Sequence, residues 1–433
     1  MADARTLPVA ATPCALPGTP LAQAAGGIDA CVHCGFCLQA CPTYLALEDE
    51  NDSPRGRIVL MRELLDGTIP LDDPDTRRHL DQCLGCRACE TACPSGVPYG
   101  QLLEATRATM ARTAPPPWLA RVILAVFASP ALQKLAMVGG RLARATGLPR
   151  LLARLPGRLG ASMAMLASTD QPVKGGAYPA AAATRARVTL LTGCVMQGLM
   201  GDVNAATVRV LARNGYAPCD TAGQRCCGAL HAHAGDLATA RTLAKANIAA
   251  FEAAPDALVV SNSAGCGAML KDYAHLLHDD PAWAARAEAL SRRVRDTSEL
   301  LAAVGPAPAS LRTPVTITYD APCHLQHAQR ITAPPLRVLD AIGNCTRVPL
   351  VDDDQCCGSA GIYNLIEPDV SEAVLAPKLR HVAATGATLV ATGNPGCLMQ
   401  IGGGLLRTGA RARAVHPILL LDRAYRDSVS SSS

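Results

Sequence analysis

The segment Cys31-Val-His-Cys34-Gly-Phe-Cys37-Leu-Gln-Ala-Cys41-Pro42 recurs as Cys83-Leu-Gly-Cys86-Arg-Ala-Cys89-Glu-Thr-Ala-Cys93-Pro94, with every cysteine and the proline displaced by 52 residues. A chain with this pattern must gather eight thiols in a small volume, and few chemistries accommodate that. A disulfide framework is the first candidate, but disulfide-dense folds are short, secreted and even in cysteine number. Here 19 cysteines, an odd number, are clustered within 433 residues. Residues 1–30 show no basic stretch leading into an apolar core, as a secretory leader would. The thiols are therefore expected in a reducing compartment, the cytoplasm, and bound to metal. A pair of zinc sites would need only two CxxC pairs and leaves the third cysteine of each run without a role.

The run C-x2-C-x2-C-x3-C-P is the one bacterial two-cluster ferredoxins use to hold [4Fe–4S] clusters. Three thiolates at i, i+3 and i+6 wrap one cube from a single loop, and the fourth reaches across to the other. On that logic cluster one takes Cys31, Cys34, Cys37 and Cys93, and cluster two takes Cys83, Cys86, Cys89 and Cys41. Between the runs, residues 55–66 have helical periodicity and stop at Gly67. Asp73 is placed to cap a second helix with Pro74 in its first turn. A helical two-cluster domain is expected over residues 26–111, after a flexible Pro/Ala/Gly-rich tail over residues 1–25.

A second duplication occupies the C-terminal half. Cys194, Cys226-Cys227-Gly228 and Cys266 are echoed by Cys323, Cys356-Cys357-Gly358 and Cys397, at offsets of 129 to 131 residues. Val188-Thr-Leu-Leu-Thr and Val315-Thr-Ile-Thr-Tyr read as buried strands before the first cysteine of each unit. Ala257-Leu-Val-Val-Ser and Thr388-Leu-Val-Ala-Thr do so before the last. Helical patterns lie between, so each unit, 186–305 and 306–433, is expected to be α/β with cysteines in the loops after its strands. Vicinal cysteines make poor disulfide partners for each other but suit one shared object, and the following glycine lets the backbone turn away. Four thiols per unit match one further [4Fe–4S] cluster; a zinc site or plain buried thiols are the competing readings.

Residues 112–185 form an expected basic helical linker. From Ala105 to Thr169 there is no Asp or Glu, while Arg107, Arg112, Arg121, Lys134, Arg141, Arg144, Arg150, Arg154 and Arg158 are all cationic, in a chain whose net charge is only +4. Trp118, Leu119, Val122, Ile123 and Phe127 interleave with that charge, as in helices that lie on anionic membrane surfaces; docking to an acidic partner subunit is the alternative. No apolar run reaches the length of a membrane span, so any attachment to the inner face of the cytoplasmic membrane is peripheral. With 3% aromatic residues and no recognised module, nucleic-acid binding is not expected. Neither GxGxxG nor a phosphate loop is present, so flavin and nicotinamide belong elsewhere. His33, His231, His233, His324 and His327 lie near cysteines, where histidines hydrogen-bond to sulfur, move protons or simply pack. Cys14, Cys219 and Cys345 fall outside both patterns and read as ordinary thiols.

The stretches ACVHCGFC, CPTY, SPRGRI, HLDQCLGCRACETACPSGV, LQHAQR and CCGSAGIY together resemble the iron–sulfur subunit of bacterial glycolate oxidase over nearly the whole chain. The resemblance implies a helical ferredoxin domain with two [4Fe–4S] clusters, joined to two cysteine-rich CCG domains with candidate clusters at the two four-cysteine sets. It implies electron transfer from FAD-binding glycolate oxidase subunits, which oxidise glycolate to glyoxylate, toward quinone at the membrane, with substrate oxidation on the partner chain. The alternatives are the equivalent subunit of a lactate or glycerol-3-phosphate dehydrogenase, or a thiol–disulfide reductase of the heterodisulfide type. In heterodisulfide reductases each CCG unit ends in CxxC and binds a noncubane cluster through five cysteines. Here Cys266-Gly-Ala-Met269 and Cys397-Leu-Met-Gln400 lack the final thiol.

Overall fold

A computed structural model describes residues 14–430. Its N-terminal part is helical for reasons legible locally. The helix Pro54–Asp66 starts where the Ser53 hydroxyl accepts the Gly56 N–H at 2.9 Å, and it stops at Gly67, whose φ is 75°. The helix Pro74–Asp81 is capped by Asp73, which accepts the Thr76 N–H at 2.7 Å. With the helix Tyr99–Met110 these enclose a core of Met61, Leu64, Leu80, Leu102 and Leu103. The expected tail needs correction over residues 14–25. The helix Pro20–Gln23 buries Leu21 completely in that core, and the Leu21 N–H donates to the Thr109 hydroxyl at 3.0 Å. An isolated leucine in a Pro/Ala/Gly-rich stretch gives no periodic signal, so only the tertiary contact reveals it. The rest of that expectation, on residues 1–13, lies outside the described residues.

Two four-stranded parallel sheets follow. The first contains β1 (Ala186–Leu190), β2 (Tyr216–Pro218), β3 (Leu258–Ser261) and β4 (Val294–Asp296) in the order β2-β1-β3-β4. The second contains β5 (Ala309–Tyr319), β6 (Ile342–Val348), β7 (Leu389–Ala391) and β8 (Arg413–Val415) in the matching order β6-β5-β7-β8. The register is repeated as well: Val188 pairs with Leu258 in the first sheet as Ile317 pairs with Leu389 in the second. Parallel strands need crossover connections, and these place the loops following β1, β2 and β3 at one carboxyl edge, where α/β folds build their sites. One continuous core joins the units: Val188, Val203, Val210 and Val260 pack with Ile317, Tyr319, Leu419 and Tyr425. The C-terminal helix Pro417–Ser430 fastens this core through Asp422, which is fully buried and accepts from Arg209 Nη2 at 2.7 Å and from the Tyr178 hydroxyl at 2.6 Å.

Between the helical part and the sheets, the helices Trp118–Ala128 and Pro130–Ala145 meet at a 104° bend, followed by Leu148–Leu152 and Gly157–Ser168. Among the described residues no single helix is long and apolar enough to cross a membrane. The bend has a local cause, since Pro130 cannot continue the preceding helix and Ser129 caps the next one.

Candidate metal centres

The eight N-terminal cysteines sort into two neighbouring cavities. Cys31, Cys34, Cys37 and Cys93 line the first, and Cys41, Cys83, Cys86 and Cys89 the second; Cys89 also reaches the wall of the first. Pro42 explains the sorting of Cys41: it opens the helix Pro42–Leu47, so the chain leaves its own loop at Cys41 and turns that thiol toward the second run. Cys93 is delivered the other way by the short helix Ala88–Ala92. None of the 19 cysteines forms a disulfide.

Burial pushes the Cys37 thiol up to about 11, against two backbone donors that pull it down. Cys86 and Cys89 are pushed well above their ordinary value by burial first and by neighbouring thiols second. A cationic metal core relieves both effects, because it stabilises the thiolate and replaces mutual repulsion with attraction. The donor set, four soft sulfurs facing each cavity, fits a [4Fe–4S] cluster. Donors toward sulfur are in place: the Gly85 N–H lies 3.4 Å and the Tyr99 hydroxyl 3.8 Å from Cys83 Sγ.

Arg57 lines the second cavity and is completely buried. Its Nη2 donates to Asp52 Oδ1 at 3.0 Å, Nη1 to the Thr43 hydroxyl at 3.0 Å, and Nε to the His79 carbonyl at 2.6 Å. Burial works against its charge, but Cys83, Tyr99, Cys41 and Asp52 together hold it protonated above its ordinary value. In the sequence it reads as one more polar residue of an amphipathic helix; only its partners, reached from three other segments, reveal its place.

In the duplicated units each cysteine of the repeated four-thiol pattern lies beyond the carboxyl end of a strand. Cys194, Cys226-Cys227 and Cys266 follow β1, β2 and β3, and Cys323, Cys356-Cys357 and Cys397 follow β5, β6 and β7. The sulfur contacts repeat too. In the first unit Cys194 meets Cys226, and Cys227 Sγ lies 3.4 Å from Cys266 Sγ. In the second, Cys323 Sγ lies 4.0 Å from Cys356 Sγ, and Cys357 meets Cys397. Gly228 and Gly358, at φ of 90° and 81°, turn the chain away from each vicinal pair. A Cβ at Gly358 would stand 2.6 Å from the Ser371 carbonyl oxygen, so a side chain there is excluded by space as well as by φ.

The two units meet different neighbours. Cys356 shares a buried cluster with Cys86, Leu84, Ala88 and Tyr363, and Cys323 packs against it, so the second cavity abuts the second unit's thiols. Cys194 and Cys226 instead pack with Leu243 against Phe127 of the bent helix pair. The nearby histidines mostly serve as ties: His327 Nδ1 meets the Thr91 hydroxyl at 2.8 Å, His231 Nε2 the Leu124 carbonyl at 3.1 Å, and His233 Nδ1 pairs with Glu104 at 2.8 Å. Arg107 ties the parts more firmly, donating to the carbonyls of Leu80, Cys83 and His233. Cys219 donates to the Val188 carbonyl at 3.3 Å, while Cys14 is exposed and Cys345 half-buried, all three apart from both cysteine patterns.

The profile of the 4Fe-4S dicluster domain matches residues 27–97, and that of the Cysteine-rich domain matches residues 188–271 and 317–402. The chain is 39% identical over 419 residues to the probable glycolate oxidase iron-sulfur subunit of Bacillus subtilis, covering 91% of this chain and 93% of that protein. It is 35% identical to the glycolate oxidase iron-sulfur subunit of Escherichia coli, covering 92% and 94%. The lactate utilization protein A of an Exiguobacterium is 30% identical over 56% of this chain and 99% of its own length.

The sorting of the thiols yields a sharp expectation. Cys41→Ser is predicted to alter the electron paramagnetic resonance signal of the cluster at Cys83, Cys86 and Cys89, although Cys41 belongs to the other run in sequence. Damage confined to the cluster at Cys31, Cys34 and Cys37 would refute this.

Proposed function

Because this chain belongs to the family of glycolate oxidase iron–sulfur subunits, we propose that it serves a glycolate-oxidising complex as the carrier between a FAD-bearing partner and quinone at the membrane. We assign Cys31, Cys34, Cys37 and Cys93 to one cluster and Cys41, Cys83, Cys86 and Cys89 to the other. We further assign the four-cysteine sets of the two α/β units to additional clusters. When bound, [4Fe–4S] clusters supply one-electron redox chemistry. The chain's own part is to hold them in one file and keep water out. The observation that carries this reading is the continuity of the thiol sites: Cys89 lines both cavities, Cys86 of the second shares a buried cluster with Cys356, and Asn394 bridges the two units, donating to Cys397 Sγ at 3.5 Å and accepting from the Gly265 N–H beside Cys266 at 3.1 Å.

The entry side is marked by exposure. Cys34 is exposed, and Val32 and Phe36 beside it are 67% and 68% exposed, an apolar collar suited to the flavin partner. Glycolate is favoured over lactate because the match to glycolate oxidase subunits extends over nine-tenths of the chain, and that to the lactate utilization protein over little more than half. A thiol–disulfide reductase fits poorly, since all four vicinal thiols are at most 5% exposed and present no sulfur to a bulky disulfide.

The segment 118–159 is the proposed membrane face. Trp118, Val122, Leu132, Leu135, Leu142 and Leu159 are all exposed there, without an acidic residue among them. Three arginines of this segment are engaged within the protein: Arg144 donates to the Thr169 hydroxyl at 2.7 Å and the Leu199 carbonyl at 2.8 Å, Arg150 pairs with Asp170 at 3.5 Å, and Arg158 donates to the Ile366 carbonyl at 3.0 Å.

Two experiments test this reading. Mixed anaerobically with the FAD-bearing partner and glycolate, the protein is predicted to lose its visible iron–sulfur absorption, and to keep it when either is omitted; bleaching by lactate alone would transfer the assignment to lactate. Replacing the exposed Arg112, Arg121 and Arg154 with Gln is predicted to weaken binding to anionic vesicles roughly 100-fold, at about 1 kcal/mol per charge near the surface. Leu132→Ser, Leu135→Ser and Leu142→Ser together are predicted to remove the part of binding that survives high salt. Unchanged vesicle binding in both variants would exclude the membrane face.

A further inference from the structure

A cavity of about 260 Å³ lies between the bent helix pair and the first α/β unit. Cys194 and Cys226 form part of its wall, with Phe127 and Met137 lining it on the side of the helix pair. Lys134, Arg141 and Arg225, all three exposed, line its open side, and among the described residues none of the three is paired with a carboxylate. Two opposite stripes of the helix Pro130–Ala145 explain its place. Gln133, Lys134, Met137 and Arg141 recur at helical spacing on the cavity side, while the exposed Leu132, Leu135 and Leu142 occupy the other side. The same helix thus presents apolar surface on one side and the wall of an open cavity on the other, with a thiol site at the cavity's far wall.

Unpaired cations beside thiolates have a simpler use, offsetting negative charge, but that use needs no open chamber between them. A small inorganic anion would suit the cations and leave Phe127 and Met137 without a role. A flat ring with a carbonyl acceptor at each end uses both: the oxygens take charge-assisted hydrogen bonds and the ring faces lie against the aromatic and thioether walls. A lipid-soluble redox partner suits a cavity walled by a membrane-facing element. We propose that this cavity binds the ring of a membrane quinone, with Lys134, Arg141 and Arg225 as the donors to its carbonyl oxygens. This deepens the reading of the chain as an electron carrier at a membrane and rests on it. It also separates the two units: the second stands against the ferredoxin-like cavities, and the first stands at the exit.

The test uses the full-length, metal-replete protein under anaerobic conditions and in the absence of lipid. The probe is ubiquinone-1, whose fully substituted ring does not add to thiols, and binding is read by equilibrium dialysis. Saturable binding is expected, weakened at least tenfold in the Lys134→Gln, Arg141→Gln double variant and abolished by Met137→Trp, which fills the chamber. Iron content is expected to stay unchanged in both. No saturable binding, or binding indifferent to both variants, overturns the proposal. Binding of glycerol phosphate in place of ubiquinone-1 also overturns it and identifies the cavity as a lipid headgroup site. Because lipid is absent, a failed membrane reading is recognised separately, as lost vesicle binding with ubiquinone-1 binding retained.

Discussion

A single buried guanidinium holds the N-terminal metal sites in register. Arg57 reaches the segment after the first cysteine run through Thr43, the turn before its own helix through Asp52, and the end of the helix before the second run through the His79 carbonyl. Removing it would leave Asp52, itself only 1% exposed, with His79 Nδ1 at 3.1 Å as its remaining ion-pair partner; breaking comparable buried pairs costs about 3–5 kcal/mol. Its charge also faces Cys41 and Cys83. The same group therefore positions the second cavity and lowers the electrostatic cost of gathering thiolates there.

From that anchor the rest of the molecule is arranged outward. The two cavities share Cys89, and the second packs through Cys86 on Cys356. The duplicated α/β units supply cysteine loops of one design, because parallel strands collect the loops at one edge. Their use differs because their surroundings differ. The ferredoxin-like part covers the second unit's thiols, and the bent helix pair covers the first unit's. Duplication gave two equivalent sites; packing made them inequivalent.

Much of this was legible in the cysteine spacing, the helix caps and the apolar runs. Asp73 and Gly67 are local signals with local consequences, and β1, β3, β7 and the second half of β5, residues 315–319, are short runs dominated by apolar and β-branched residues. The remaining strands were not legible. β2, β4 and β8 have three residues each, and β6 contains Gly343, Asn344 and Arg347, so neither length nor alternation marks them. The roles of Leu21 and Arg57, and the Cys86–Cys356 contact across 270 positions, depend on tertiary placement and leave no periodic trace. Arg144 and Arg150 look in sequence like the other cations of their segment, yet one is held by Thr169 and Leu199 and the other by Asp170.

The central claim is that these thiols hold iron–sulfur clusters in one connected file. Iron and acid-labile sulfide per chain, measured on protein purified anaerobically, address it most directly. The account predicts about eight of each from the paired N-terminal sites, with more if the α/β units are filled. Zinc at similar stoichiometry, with no iron taken up on anaerobic reconstitution, would contradict it.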